Sequence, residues 1–208
     1  MKQAFITMLG MQDKMNQKVH AQWPQQNFEW YRAIWIECGE LIEHYGYKWW
    51  KKQTPDMDQV KLEVIDIWHF GMSALFATGK THEAIATDMA VALDSYQYQN
   101  QSVLEATEAL AQDSLSTKSF SVTLFWDLLN ASGMDFDDLY QQYVGKNVLN
   151  FFRQDNGYKD GSYVKQWQGR EDNEHLVEIL AELNSQSANF SDEVYRALTQ
   201  RYQVVTAS

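Results

Sequence analysis

Two pairs of acidic residues sit where acidic residues are costly. Glu37 and Glu40 lie in Trp35-Ile36-Glu37-Cys38-Gly39-Glu40-Leu41-Ile42, and Glu63 and Asp66, with 22 residues between Glu40 and Glu63, lie in Val60-Lys61-Leu62-Glu63-Val64-Ile65-Asp66-Ile67-Trp68. A three-residue spacing puts both members of each pair on one helix face, a turn apart. Spacing alone is weak, because Glu105 and Glu108 repeat it on what reads as a solvated face. The surroundings separate the cases. Val60, Leu62, Val64, Ile65, Ile67 and Trp68 make the second segment apolar nearly all round, which is the pattern of a buried helix. A buried carboxylate without compensation costs several kcal/mol, roughly. Arg32, Lys48 and Lys61 read as the only cations near them, too few to neutralise four carboxylates and mostly facing elsewhere. Metal is the remaining compensation. All-oxygen ligands select hard ions, Mg²⁺ first and Mn²⁺ second, and Mg²⁺ typically bridges to substrate phosphates. His69, three residues past Asp66, reads as a structural group rather than a ligand.

A second stripe has the opposite charge. Lys146, Asn150 and Arg153 recur at helical spacing and lead into a Gly-rich loop with Tyr158, Lys159 and then Lys165. Such a stripe is often only the wet face of a helix. Within an acidic chain it can also hold phosphates opposite a metal. Gln12 and Asn16 are one turn apart, and amides carry both the donor and the acceptor needed to read a nucleobase edge. Trp49 and Trp50 can stack on a base, and one of the two is expected to be a core or interface tryptophan instead.

The elements that must position these residues are helical. Apolar residues recur at three- and four-residue spacing across 3–20 and 28–52, as in Trp30, Ile34, Cys38 and Leu41. Thr54-Pro55-Asp56 is a break with a cap behind it, and 57–77 reads as the buried helix. Shorter helices are expected over 81–96, 102–112 and 121–131. Gly133 stops the last and Asp135 caps a long amphipathic helix over 136–154. Asp155 to Gly161 is the richest loop signal. Two closing helices follow over 172–184 and 191–204, the second capped by Ser191. The expectation is an all-α bundle of about nine helices forming one domain over 1–208.

Composition agrees. The 208 residues are 45% apolar with ten Gly and two Pro, against both disorder and a turn-rich β-sandwich. Lys plus Arg number 17 against 28 Asp plus Glu, a net charge of −11, which gives no general attraction for a DNA or RNA polymer. The single Cys38 excludes an internal disulfide and fits a reducing compartment. Neither a signal-peptide pattern at the N-terminus nor an apolar run of about 18 residues is present, so a cytoplasmic protein without membrane contact is expected. A Walker-A loop, a GxGxxG and any Ser-His-Asp or Cys-His arrangement are missing from the sequence.

Glu37-x-x-Glu40 followed by Glu63-x-x-Asp66 resembles the metal motif of the all-α nucleotide pyrophosphohydrolases. Leu9-Gly10-Met11-Gln12-Asp13-Lys14-Met15-Asn16, Tyr47-Lys48-Trp49-Trp50-Lys51 and the long stretch from Gly145 to Lys159 narrow the resemblance to the dimeric dUTPases. Its continuation through Lys165, Trp167 and Glu171-Asp172-Asn173 is similar too. The likeness covers a little over half of the chain and leaves out 80–133 and 184–208. It implies hydrolysis of dUTP and dUDP to dUMP by a homodimer whose domains close around the nucleotide. Magnesium would be held by Glu37, Glu40, Glu63 and Asp66, with Glu40 as the base. Lys146, Arg153, Tyr158 and Lys165 would contact phosphates, with Asn150 near sugar or base and Gln12, Asn16 and Trp49 at the uracil and sugar. Related specificities, such as dCTP or a modified nucleotide, and a non-catalytic metal-binding homologue remain the alternatives. Gln12 and Asn16 could serve cytosine by flipping their amides.

Overall fold

The computed structural model describes residues 1–76, 79–185, 187 and 189–206. Nine α-helices are present among them: α1 (Lys2–Val19), α2 (Trp30–Tyr45), α3 (Met57–Leu75), α4 (His82–Asp94), α5 (Val103–Thr117), α6 (Val122–Ala131), α7 (Phe136–Asp155), α8 (Asp172–Glu182) and α9 (Phe190–Thr206). One 3₁₀ turn (Trp23–Gln25) and a two-residue hairpin, β1 (Gln166–Trp167) with β2 (Arg170–Glu171), complete it. The expected all-α class holds, and the hairpin is too short to be seen in a hydropathy pattern. No helix among the described residues is long and apolar enough to cross a membrane. The chain divides into two compact units, Met1–Tyr140 and Gln141–Ser208.

In the first unit most helices begin at side chains that satisfy their open N–H groups. Asp56 accepts from Gln59 N at the start of α3, and Thr81 accepts from Ala84 N at the start of α4. Ser102 and Glu105 form a reciprocal capping box on α5, while Asp135 and Asp138 bond each other's backbone N–H before and within α7. Each such cap contributes about 1 kcal/mol.

Helix α2 packs along α3 and α5, and α1 packs on α4 and α3. The buried helix is α3: Val60, Val64, Ile67, Trp68 and Met72 are all fully covered. Trp68 stacks on Phe125 at 4.7 Å between ring centres and meets Phe5, Phe120 and Trp126 around its rim. Gly71 lets Phe120 approach, since a Cβ there would lie 2.5 Å from its ring. This packing on α3 holds the carboxylate face in place.

Three boundaries differ from the sequence reading, the first being α5, which runs on to Thr117 instead of ending at residue 112. The helix expected to run to residue 52 stops at Tyr45, because Gly46 adopts φ +91 and its N–H closes on Ile42 O. A side chain at such a φ is strained, so only glycine ends the helix this way cheaply. At the C-terminal end, Ser191 lies inside α9 rather than capping it, since the helix already begins at Phe190. The backbone N–H of Glu193 bonds Asn189 O, which sets the start earlier. Residue 77, the expected end of α3, falls outside the described residues.

The second unit packs Val148, Leu149 and Phe152 of α7 with Leu176 and Ile179 of α8 and Val194, Leu198 and Tyr202 of α9, all buried. Trp167 lies fully buried among Phe152, Tyr163 and Tyr202. Gly145 admits Leu180, which a Cβ would meet at 2.6 Å.

Candidate active site

Helices α2 and α3 bring three of the four sequence-predicted acids together. One carboxylate oxygen from each of Glu37, Glu63 and Asp66 lies within 4.8 Å of the others. Glu63 is buried, and Glu37 and Asp66 are half-buried. Glu40, one turn along α2, is exposed and stands outside that group. Its charge still reaches Glu37. Burial, then the neighbouring Asp66, Glu63 and Glu40, push the Glu37 carboxyl from the usual carboxylate range up to about 8.

This donor set fits a hard divalent cation. The ligands are oxygens only, one from each acid lies within 4.8 Å of the others, and their like charges crowd Glu37. Two of the three cations flagged by the sequence are engaged elsewhere: Arg32 pairs with Glu29 and Lys48 with Glu43. One group was missed by counting only Lys and Arg. His44 Nε2 lies 3.5 Å from Glu63 Oε1. Its position, seven residues beyond Glu37 on α2, was the available signal. Cys38, buried beside the cluster, has its thiol pushed up to about 12 by burial and the Glu37 charge, so it is no nucleophile.

Further along the same face of α3, Gln12 and Asn16 of α1 meet His69 and Ser73. Gln12 Oε1 is 2.8 Å from His69 Nδ1, and Gln12 Nε2 donates to Asn16 Oδ1 (3.0 Å) and to Ser73 Oγ (3.1 Å). His69 takes part in this network and is not in the carboxylate group. All four residues are buried. From Asp66 to Ser73 the helix rises about 10 Å, so acids and amides lie on one stripe about two turns apart. Trp49 is 91% exposed and Trp50 60% exposed, so neither is a core tryptophan, and of the core-or-interface expectation only an interface role fits their exposure. They lie on the short segment after Gly46, edge to face with each other.

In the second unit, Arg153 is clamped. Its Nε and Nη2 donate to the two oxygens of the fully buried Asp172 at 2.8 and 2.7 Å, and Nη1 donates to Asn150 Oδ1 at 3.2 Å. Burial opposes ionisation of both partners, yet their mutual hydrogen bonds and charge raise the Arg153 pKa and hold Asp172 below its ordinary value. Tyr163 donates to Asp172 as well, and Tyr158 lies against the Arg153 guanidinium at 5.9 Å. Thus Asn150, Arg153 and Tyr158 are gathered at one place. Lys146 is 5% exposed, which excludes the wet-face reading of the stripe at that residue. Lys165, more exposed, pairs with Glu171 at 3.0 Å.

A family model described as dUTPase matches residues 4–158 of the 208, a span that takes in all four acids, both amides and Tyr158. The chain belongs to the all-α dUTPase family. This dUTPase is accordingly a hydrolase, a dUTP diphosphatase acting on a nucleotide substrate. No curated protein matches its sequence. The family match also runs through 80–133, where the sequence offered no likeness: these residues form α4 to α6, and α5 supports α2 from the side.

Proposed function

We propose that this dUTPase hydrolyses dUTP and dUDP to dUMP with Mg²⁺ as cofactor, Mn²⁺ being an acceptable substitute. The supporting observation is the convergent, self-repelling cluster of Glu37, Glu63 and Asp66 in a chain of the dUTPase family. Magnesium held there supplies Lewis-acid charge for the phosphoryl oxygens and lowers the pKa of water.

The chain's own residues do the rest. Glu37, Glu63 and Asp66 hold the metal, with Glu40 completing the set from the adjoining turn. Glu40 is the exposed member and serves as the base that takes the proton from the attacking water. Lys146, Arg153, Tyr158 and Lys165 contact phosphates. For Arg153 the Asp172 clamp fixes the guanidinium plane, which suits a planar, bidentate contact. Gln12, Asn16 and Trp49 serve the uracil and sugar, and Asn150 the sugar or base. No nucleophilic side chain is required. The whole chain, 1–208, acts as one cytoplasmic catalytic protein, as a homodimer without DNA, RNA or membrane partners.

Turnover of dUTP, dUDP, dCTP, dTTP and UTP with and without Mg²⁺, in the wild type and Glu40→Gln, tests the reading. The expected result is Mg²⁺-dependent turnover of dUTP and dUDP, little with dTTP or UTP, and loss in the variant. Turnover of another nucleotide instead, lost in Glu40→Gln, overturns the uracil assignment while keeping the metal chemistry. A folded, Mg²⁺-binding protein that turns over none of them overturns the catalytic reading.

A further inference from the structure

Ser73 is fully buried on α3, two turns beyond Asp66. Its hydroxyl donates to His69 O at 3.0 Å. A carbonyl can only accept, so the hydroxyl proton is committed there and the Oγ lone pairs are left facing α1. Two amides meet them: Gln12 Nε2 at 3.1 Å and Asn16 Nδ2 at 3.0 Å. Both amides must therefore turn their NH₂ ends toward Ser73. Gln12 Nε2 gives a second hydrogen to Asn16 Oδ1 at 3.0 Å, and Gln12 Oε1 is thereby turned to His69 Nδ1 at 2.8 Å, which selects the Nδ1–H form of that ring. One hydroxyl orientation sets two amides and one imidazole.

We propose that Ser73 is the positioning residue that sets uracil over cytosine, by locking the orientation of the Asn16 amide. The inference rests on the reading that Gln12 and Asn16 serve the base. Beyond its bonds to Ser73 and Gln12, Asn16 retains one N–H and one Oδ1 lone pair among the described residues. The bonds to Ser73 and Gln12 take the paired edge of the amide, so the two remaining groups diverge and one of them meets the base: in that fixed order the N–H is the donor that uracil O4 accepts. Cytosine carries an amine in place of O4, so donor would face donor. A flipped Asn16 would accept cytosine. The flip would also turn Oδ1 onto the Ser73 oxygen, whose proton is held by the His69 carbonyl, and turn Nδ2 onto Gln12 Nε2. Two buried bonds would become two buried repulsions.

Ser73→Ala removes the lock while leaving every group that touches the base. The ratio of kcat/KM for dUTP over dCTP is expected to fall by about tenfold or more, chiefly through a rise for dCTP. Ser73→Thr keeps the hydroxyl and is expected to restore the ratio to within about threefold of wild type. An unchanged ratio in a folded Ser73→Ala protein that turns over dUTP overturns the inference, as does a Thr variant that behaves like Ala. If neither variant folds, the wild-type protein decides. Its Asn16 side-chain amide NMR signals should shift with dUMP and stay in place with dCMP, and equal shifts with both would overturn the lock. Wild-type protein that turns over no dUTP would instead overturn the proposed function, a distinct result.

Discussion

In the first unit, Glu37, Glu63 and Asp66 converge within 4.8 Å, and Glu37 is driven up to about 8 by burial and its own neighbours. In the second unit Asp172 is buried more deeply, yet it is held below the ordinary carboxylate value by Arg153 and Tyr163. Both are covered acids on packed helices. What differs is where the compensating charge comes from. Asp172 is answered by a residue of its own unit, so its ion pair orders the structure around Arg153. The acids of α2 and α3 crowd like charge against Glu37, with His44 beside Glu63, and a divalent cation relieves the crowding that raises the Glu37 carboxyl.

Removing one acid from each region separates the two roles. Glu63→Gln is expected to lower dUTP turnover on the order of a thousandfold, the equivalent of about 4 kcal/mol of lost stabilisation. The metal-free variant should keep most of its stability, because the charge that it removes faces His44 but also crowds Glu37. Loss of stability with turnover intact would make the cluster a structural feature and erase the contrast. Asp172→Asn should do the reverse to folding. It leaves the Arg153 charge buried without its counter-ion, at a cost of about 3–5 kcal/mol in chemical denaturation, and Mg²⁺ should not restore it.

A smaller effect, carried by pH, sharpens the same comparison. Glu37 has a folded pKa above its unfolded value of 4.5, so its ionisation opposes folding. Its contribution is fully present below about 4.5 and is lost as pH rises through about 8. Asp172 has the opposite sign: its contribution is present above its unfolded value of 3.8 and is lost as pH falls through the lower folded value. Melting curves of the metal-free protein should therefore sag between pH 4.5 and 8, and saturating Mg²⁺ should remove the sag. A sag that persists with Mg²⁺ bound would detach it from the cluster.

Much of the architecture was legible before any coordinates. The three- and four-residue recurrence of apolar residues located α1 and α3 to α9 to within a few residues, and Asp56 and Asp135 cap where their types and positions say they should. The E-x-x-E and E-x-x-D pairs and the longer stretches around Gln12, Trp49 and Lys146 pointed to the family that the match over residues 4–158 shows. These are local signals: period, cap and spacing depend on neighbours within a turn or two, and a single chain displays them directly. The end of α2 escaped because apolar periodicity continued past Gly46, while the backbone there turned to positive φ.

What the tertiary structure alone decided are the pairings across long separations. Glu37 meets Glu63 and Asp66 while Glu40 stays exposed, because helix-to-helix packing selects which members of each pair face inward. Arg153 finds Asp172, 19 residues away, and Gln12 finds His69 across 57 residues and Ser73 across 61. No spacing rule reaches that far. A flipping amide pair was the reading that sequence allowed, since Gln and Asn present donor and acceptor alike. Their order is chosen only when a third buried group, the Ser73 hydroxyl anchored on His69 O, has no proton left to offer them.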